Sequence, residues 1–217
     1  MTRGVGPLVI AIDGTFASGK GTLGKRLAAH YSLAYLDTGK LYRAVAKAVL
    51  DSGGNPDKAE DAKAAVAKID TASLNDPILK SGMIGAAASK VAIHTDVRAA
   101  LFDFQRDFAA QGAVLDGRDI GTVICPDATV KLYVDAKAEE RAKRRHAELL
   151  GYGEDISLST VAAQLAERDA RDTGRKEAPL KPAADAHLLD TTHLSIEEAF
   201  NAARQLVDAV LGANKAD

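Results

Sequence analysis

The feature that most restricts the fold is Gly14-Thr-Phe-Ala-Ser-Gly-Lys20, which fits the spacing G-x-x-x-x-G-K. It follows the apolar run Leu8–Ile12, closed by Asp13, and precedes a helical pattern with Leu23, Leu27 and Tyr31 four residues apart. Strand, glycine loop and helix form the context in which this spacing carries meaning. Gly14 and Gly19 let successive backbone N–H groups turn into one concavity. The helix N-terminus adds the positive end of its dipole, and Lys20 adds a full charge. Such a loop holds the phosphates of a nucleoside triphosphate. The expected set is Gly14, Thr15, Phe16, Ala17, Ser18, Gly19, Lys20, Gly21 and Thr22. A hydroxyl directly after the lysine, which would reach a magnesium ion, is replaced by Gly21. No protein metal ligand is therefore expected, and Mg²⁺ would be held by phosphate oxygens and water.

The rest of the chain alternates short apolar runs with helical patterns. Strands are expected at 33–36, 113–115, 130–134 and 187–189. Thr38 is expected to cap a helix carrying Tyr42, Val45 and Val49. Helices are also expected at 57–70, 81–94 and 137–150 and 157–173. Another carries the stripe Val97, Leu101, Phe104 and Phe108. A closing helix, 196–211, turns Ile196, Phe200, Ala203, Val207 and Val210 inward. The alternation implies an α/β fold, a three-layer P-loop arrangement with a five-stranded parallel sheet and helices on both faces. A single domain is expected, with its core at 1–38, 109–136 and 184–217. A helical acceptor-binding insert would take 39–108 and a lid 137–183.

A net charge of −2 gives no general attraction to nucleic acid or to an anionic membrane. No apolar run approaches the roughly 18 residues of a membrane span. Cys125 is the only cysteine, so there is no disulfide framework, and a cytoplasmic monomer is the default. Asn214-Lys-Ala-Asp217 spells the guanine-reading N-K-x-D, but it trails a helix with no strand to hold it, and a frayed tail is expected.

Gly-Lys-Gly-Thr at 19–22 resembles the nucleoside monophosphate kinases. Three further stretches narrow the resemblance: Asp37-Thr-Gly-Lys-Leu-Tyr-Arg43, Asp116-Gly-Arg-Asp-Ile-Gly-Thr122 and Arg168-Asp-Ala-Arg-Asp-Thr-Gly-Arg175. In this order the chain resembles the bacterial cytidylate kinases from about residue 7 to 211. The resemblance implies ATP and Mg²⁺ as cofactors, and transfer of a phosphoryl group to CMP or dCMP. It places Asp119, Arg98 and Ser89 at a cytosine pocket. Arg168 and Asp172 would lie near the nucleotide sugar, and Arg175 near the phosphates. Thr38 joins the substrate-binding set, and Arg144 the ATP-binding set. Arg43 and Arg118 are candidates to hold the acceptor phosphate, since arginine offers a two-pronged fork. Lys20, Arg118 and Arg175 would stabilise the transferring group.

Arg141, Arg144 and Arg145 share one helix face, as do Arg168, Arg171 and Arg175. These faces either pair with Glu139, Glu140, Glu167 and Asp169, or close over the triphosphate and exclude water. Other readings are a P-loop kinase for UMP, AMP or shikimate, and a nucleotide switch; Gly21 argues against the switch. Two departures from the family pattern stand out. Thr15 stands where a proline commonly follows the first glycine, and bulky Phe16 follows it. The stretch between Arg43 and Ser89 is short and reads as helix where many members carry a β-rich insert, so a more open base pocket is expected.

Overall fold

In a computed structural model, which describes residues 6–69 and 74–213, five strands form one parallel sheet. They are β1 (Val9–Gly14), β2 (Ala34–Asp37), β3 (Ala113–Asp116), β4 (Val130–Asp135) and β5 (His187–Asp190), in the order β2-β3-β1-β4-β5. Residues alternate across β1. Ala11 faces α2 (Thr38–Asp51), α3 (Ala59–Val66), α4 (Gly82–Val91) and α5 (Thr95–Ala109). Ile10 and Ile12 face α1 (Lys20–His30) and α8 (Ile196–Ala213). The period of two along a doubly covered strand thus splits one apolar run between two cores. A third, small apolar cluster lies between α6 (Ala138–Gly151) and α7 (Leu158–Thr173).

The expected α/β class and parallel sheet are the ones found, and the described residues between Arg43 and Ser89 are helical or irregular. Several local expectations are corrected. Thr38 does not cap α2. It is the first helical residue, and its hydroxyl donates to the Asp116 carbonyl at 2.8 Å, tying α2 to the end of β3. Phe104 is exposed, because Gln105 takes the inward place one turn after Leu101; its amide is satisfied by the Leu101 carbonyl at 2.8 Å. Ile196 is 63% exposed, at the first turn of α8. Arg175 lies beyond the end of α7, so it does not continue the helical face of Arg168 and Arg171. The N-K-x-D tail, residues 214–217, lies outside the described residues.

The C-terminal ends of all five strands reach one edge, where open α/β sheets receive ligands. Four strands end in aspartate: Asp37, Asp116, Asp135 and Asp190. Asp13, the penultimate residue of β1, makes a fifth carboxylate on this edge.

Candidate active site

The phosphate loop leaves β1 through Gly14, where no other residue fits. Its φ is +148°, and a Cβ would lie 1.9 Å from the Val134 carbonyl oxygen of the paired strand. The loop turns again at Ala17 (φ 63°), a left-handed conformation that costs a non-glycine residue roughly 1 kcal/mol. Gly19 (φ 91°) then opens α1. The first helical bond runs from the Leu23 N–H to the Gly19 carbonyl, so the N–H groups ahead of it have no helical partner. Ser18 is fully buried, and its hydroxyl turns back to the Thr15 carbonyl at 2.9 Å. Thr191 holds the Ser18 carbonyl at 2.7 Å. The loop is thus braced through Ser18 and Thr191.

Lys20 Nζ lies 3.4 Å from the Thr15 carbonyl and 3.8 Å from Asp116 Oδ1. Burial, then repulsion from Arg118, lowers its pKa to about 8 against the pull of Asp116 and Asp37. Burial pushes Asp116 up, with neighbouring Asp37 adding to it. Tyr35 donates to Asp116 Oδ2 at 2.9 Å. The two carboxylates are register partners across β2 and β3.

A second group of charges gathers after β3. Here the chain makes a wide π-type turn over Ile120–Ile124, and Asp13 holds its start. The Asp13 carboxylate accepts the Ile120 and Gly121 N–H groups, each at 2.7 Å. This fixes Arg118 and Asp119 beside β1. Asp119 pairs with Arg98 of α5, and Arg98 also reaches the Tyr42 hydroxyl at 3.5 Å. Their cleft is lined by Thr38, Ser89, Arg118, Arg168 and Arg175 as well. The open pocket expected there is not found. The small side chains of Ala88 and Ala92 bring α4 and its C-terminal end close, leaving Asp119 and Arg98 only 7% and 11% exposed.

Asp172 is the hub of the arginines. Its carboxylate accepts from Arg118 Nε at 2.8 Å and from Arg175, and Arg168 lies 3.8 Å away. Burial alone would raise its pKa; the guanidiniums of Arg118, Arg168 and Arg175 outweigh that and hold it at about 2. One carboxylate thus serves three buried cations, and the Nε donors of Arg168 and Arg175 have no partner among the described residues. Burial, followed by repulsion from Arg118, lowers the Arg168 pKa to about 9. Such a site favours anions with several acceptor oxygens.

Other expected residues lie farther from this centre. Arg43 is half-buried, with its charge felt by Tyr35 and Arg168. Ser89 is buried, and its hydroxyl accepts from Arg171 Nε at 3.2 Å. Arg144 donates to the Thr191 carbonyl at 2.8 Å and borders a second cleft with Ala17, Ser18, Gly19 and Thr22. Of the charged faces, Arg141 pairs with Asp169, Arg144 with Glu140 and Arg171 with Glu167. Asp13, Tyr35, Tyr42 and Thr191 are not among the site residues expected from the sequence. Asp13 carries a signal as the charge that ends an apolar strand, and Tyr42 as a member of the stretch Asp37–Arg43.

A family model described as cytidylate kinase matches residues 10–209. A cytidylate kinase from Rhodopseudomonas palustris (strain BisB18) is 56% identical over 94% of this chain and 97% of its own length. One from Brucella suis biovar 1 (strain 1330) is 50% identical over 97% of both chains. The crystal structure of an uncharacterised protein from Eubacterium ventriosum ATCC 27560 shares the fold. It has a TM-score of 0.56 at 15% identity and covers 94% of this chain and 99% of that one. The phosphate loop, the Asp119–Arg98 pair and the arginines around Asp172 therefore sit in a scaffold of assigned kinship: the chain belongs to the cytidylate kinase family.

Proposed function

We propose that this chain transfers the γ-phosphoryl group of ATP to CMP and dCMP, giving ADP and the corresponding diphosphate. The observation that carries the reading is the three-to-one excess of buried guanidiniums over Asp172, facing a loop built for a triphosphate. An acceptor phosphate oxygen attacks the γ-phosphorus, the bond to the ADP oxygen breaks, and no general base is needed because the attacking oxygen is already anionic. Lys20, Arg118 and Arg175 spread the developing negative charge. Arg43 and Arg118 hold the acceptor phosphate. Asp119 accepts from the cytosine amino group while Arg98 donates to the ring carbonyl, with Ser89 and Thr38 bordering the pocket. Asp172 does more for positioning than for sugar contact, since its oxygens are taken by arginines. Arg168 approaches the phosphates, and Arg144 lies on the ATP side.

The proposed division keeps 39–108 as the acceptor-binding insert and 137–183 as a lid on a core made of the remaining residues. Among the described residues no group of three His, Cys, Asp or Glu side chains could hold a metal ion. Asp37 and Asp116, register partners at the strand ends, would accept hydrogen bonds from the water ligands of a Mg²⁺ ion held by the phosphates. When bound, Mg²⁺ supplies charge neutralisation on the phosphate oxygens. No described helix is long and apolar enough to cross a membrane. We place the enzyme in the cytoplasm, a reading in keeping with its one cysteine being free and buried, and take it to act as a monomer.

The test is coupled ADP release with CMP, dCMP, UMP, AMP and no acceptor. Release should depend on acceptor and be fastest with CMP or dCMP. An equal rate without acceptor would replace the kinase reading with that of an NTPase.

A further inference from the structure

Thr15 and Phe16, which follow the first glycine of the phosphate loop, are two of its grips on the rest of the molecule. Thr15 Oγ1 donates to Asp135 Oδ1 at 2.6 Å. The Phe16 ring packs against the apolar cluster of α6 and α7, formed by Ala142, Leu149, Val161 and Leu165. The Arg168 guanidinium stacks over the same ring, 4.0 Å from its centroid. The Phe16 carbonyl accepts from Arg141 Nη1 at 3.3 Å. Arg141 is fixed in turn by a two-pronged pair with Asp169, at 3.1 and 2.7 Å.

Arg168 needs such a hold. It is buried beside two other guanidiniums, shares Asp172 with both, and has an Nε donor without a partner among the described residues. Arg118, Arg43 and Arg175 repel it against the pull of Asp172. The negative face of an aromatic ring attracts a cation in a desolvated place, and a planar guanidinium can stack flat upon it.

We infer that Phe16 is a positioning residue, whose ring sets the Arg168 guanidinium beside the phosphate loop so that loop and α7 are brought to one geometry. The inference rests on the proposed function and deepens it. The contact matters most when charge develops on the transferring phosphoryl group. Its removal therefore lowers kcat more than it weakens ATP binding.

Phe16→Leu keeps an apolar group for the α6–α7 cluster and removes the ring face. Phe16→Tyr keeps the face. Each is compared with the unchanged chain for kcat and KM with CMP, ATP affinity by titration without CMP, and Tm. Phe16→Leu should lose about tenfold in kcat with ATP affinity within about twofold. Phe16→Tyr should recover most of the rate. In an Arg168→Gln background, Phe16→Leu should cost no further rate. Equal kcat for the Leu and Tyr variants, a Leu variant within twofold of the unchanged chain, or a full additional loss in the Arg168→Gln background overturns the inference. If Phe16→Leu does not fold, Phe16→Met is judged by the same criteria. An unchanged chain inactive on CMP overturns the functional reading and the inference together; an active one with an unaffected Leu variant overturns the role of Phe16 alone.

Discussion

Lys20 is a cation with little water around it and another cation nearby, so its proton is held less tightly than that of an exposed lysine. The phosphates of ATP would reverse the balance. With a folded pKa of about 8 in the free protein, binding at pH 8 should draw in up to about half a proton per site, and ATP affinity should fall as pH rises further. Calorimetry in buffers of different ionisation enthalpy reads the uptake directly. An uptake that survives in Lys20→Met assigns it to another group. Lys20→Ala should abolish transfer. Asp119 predicts a different split. Asp119→Ala removes the proposed acceptor for the cytosine amino group and should raise KM for CMP by at least about tenfold while sparing ATP binding, since a hydrogen bond to a charged group contributes about 1.5–3 kcal/mol. Equal loss of both affinities would remove Asp119 from the base pocket. Residues of this kind are legible when they belong to a spaced motif, as Lys20 and Asp119 do. Asp13 and Tyr35 were not, because their roles depend on partners 107 and 81 positions away.

Among the elements, strands and helices follow from apolar periodicity, whereas helix faces also depend on which polar side chains folding can satisfy locally. The apolar periodicity of α5 points to Phe104 because Gln105 is polar, yet folding satisfies the Gln105 amide locally and turns it inward. The strand order β2-β3-β1-β4-β5 was not legible either, since it depends on which distant runs pair. Nor did sequence spacing suggest how α4 meets the α6–α7 pair. Glu154, in the connection after α6, accepts the Gly82 N–H at the start of α4 at 2.7 Å, and Arg145 reaches the Lys80 carbonyl at 3.3 Å. A carboxylate at a helix N-terminus stabilises by about 1 kcal/mol. Glu154→Ala should therefore loosen this clasp, with amide exchange at 82–85 faster by roughly fivefold and core strands unchanged. Unaltered exchange at those amides would mean that the clasp contributes nothing in solution.

Across the whole molecule, two buried carboxylates pull stability in opposite directions with pH. Asp172 is held down at about 2, below the unfolded value of 3.8. Its contribution is complete above about pH 4 and is lost as pH falls through 2. Asp13 is the reverse case. Burial, against the two N–H bonds from Gly121 and Ile120, raises it to about 7. Between 3.8 and about 7 the folded chain holds a proton that the unfolded chain releases, so stability from this group falls as pH rises through that window. At about 1.4 kcal/mol per pKa unit, the effect is on the order of a few kcal/mol. Asp13→Asn removes the titration and one of the two acceptors for the wide turn. Denaturant unfolding from pH 4 to 7 should give a shallower slope for Asp13→Asn than for the unchanged chain, whatever the offset between them. Parallel curves would place the Asp13 proton elsewhere. They would also mean that the turn carrying Asp119 is anchored by a permanently ionised carboxylate, with no pH dependence of its own in this range.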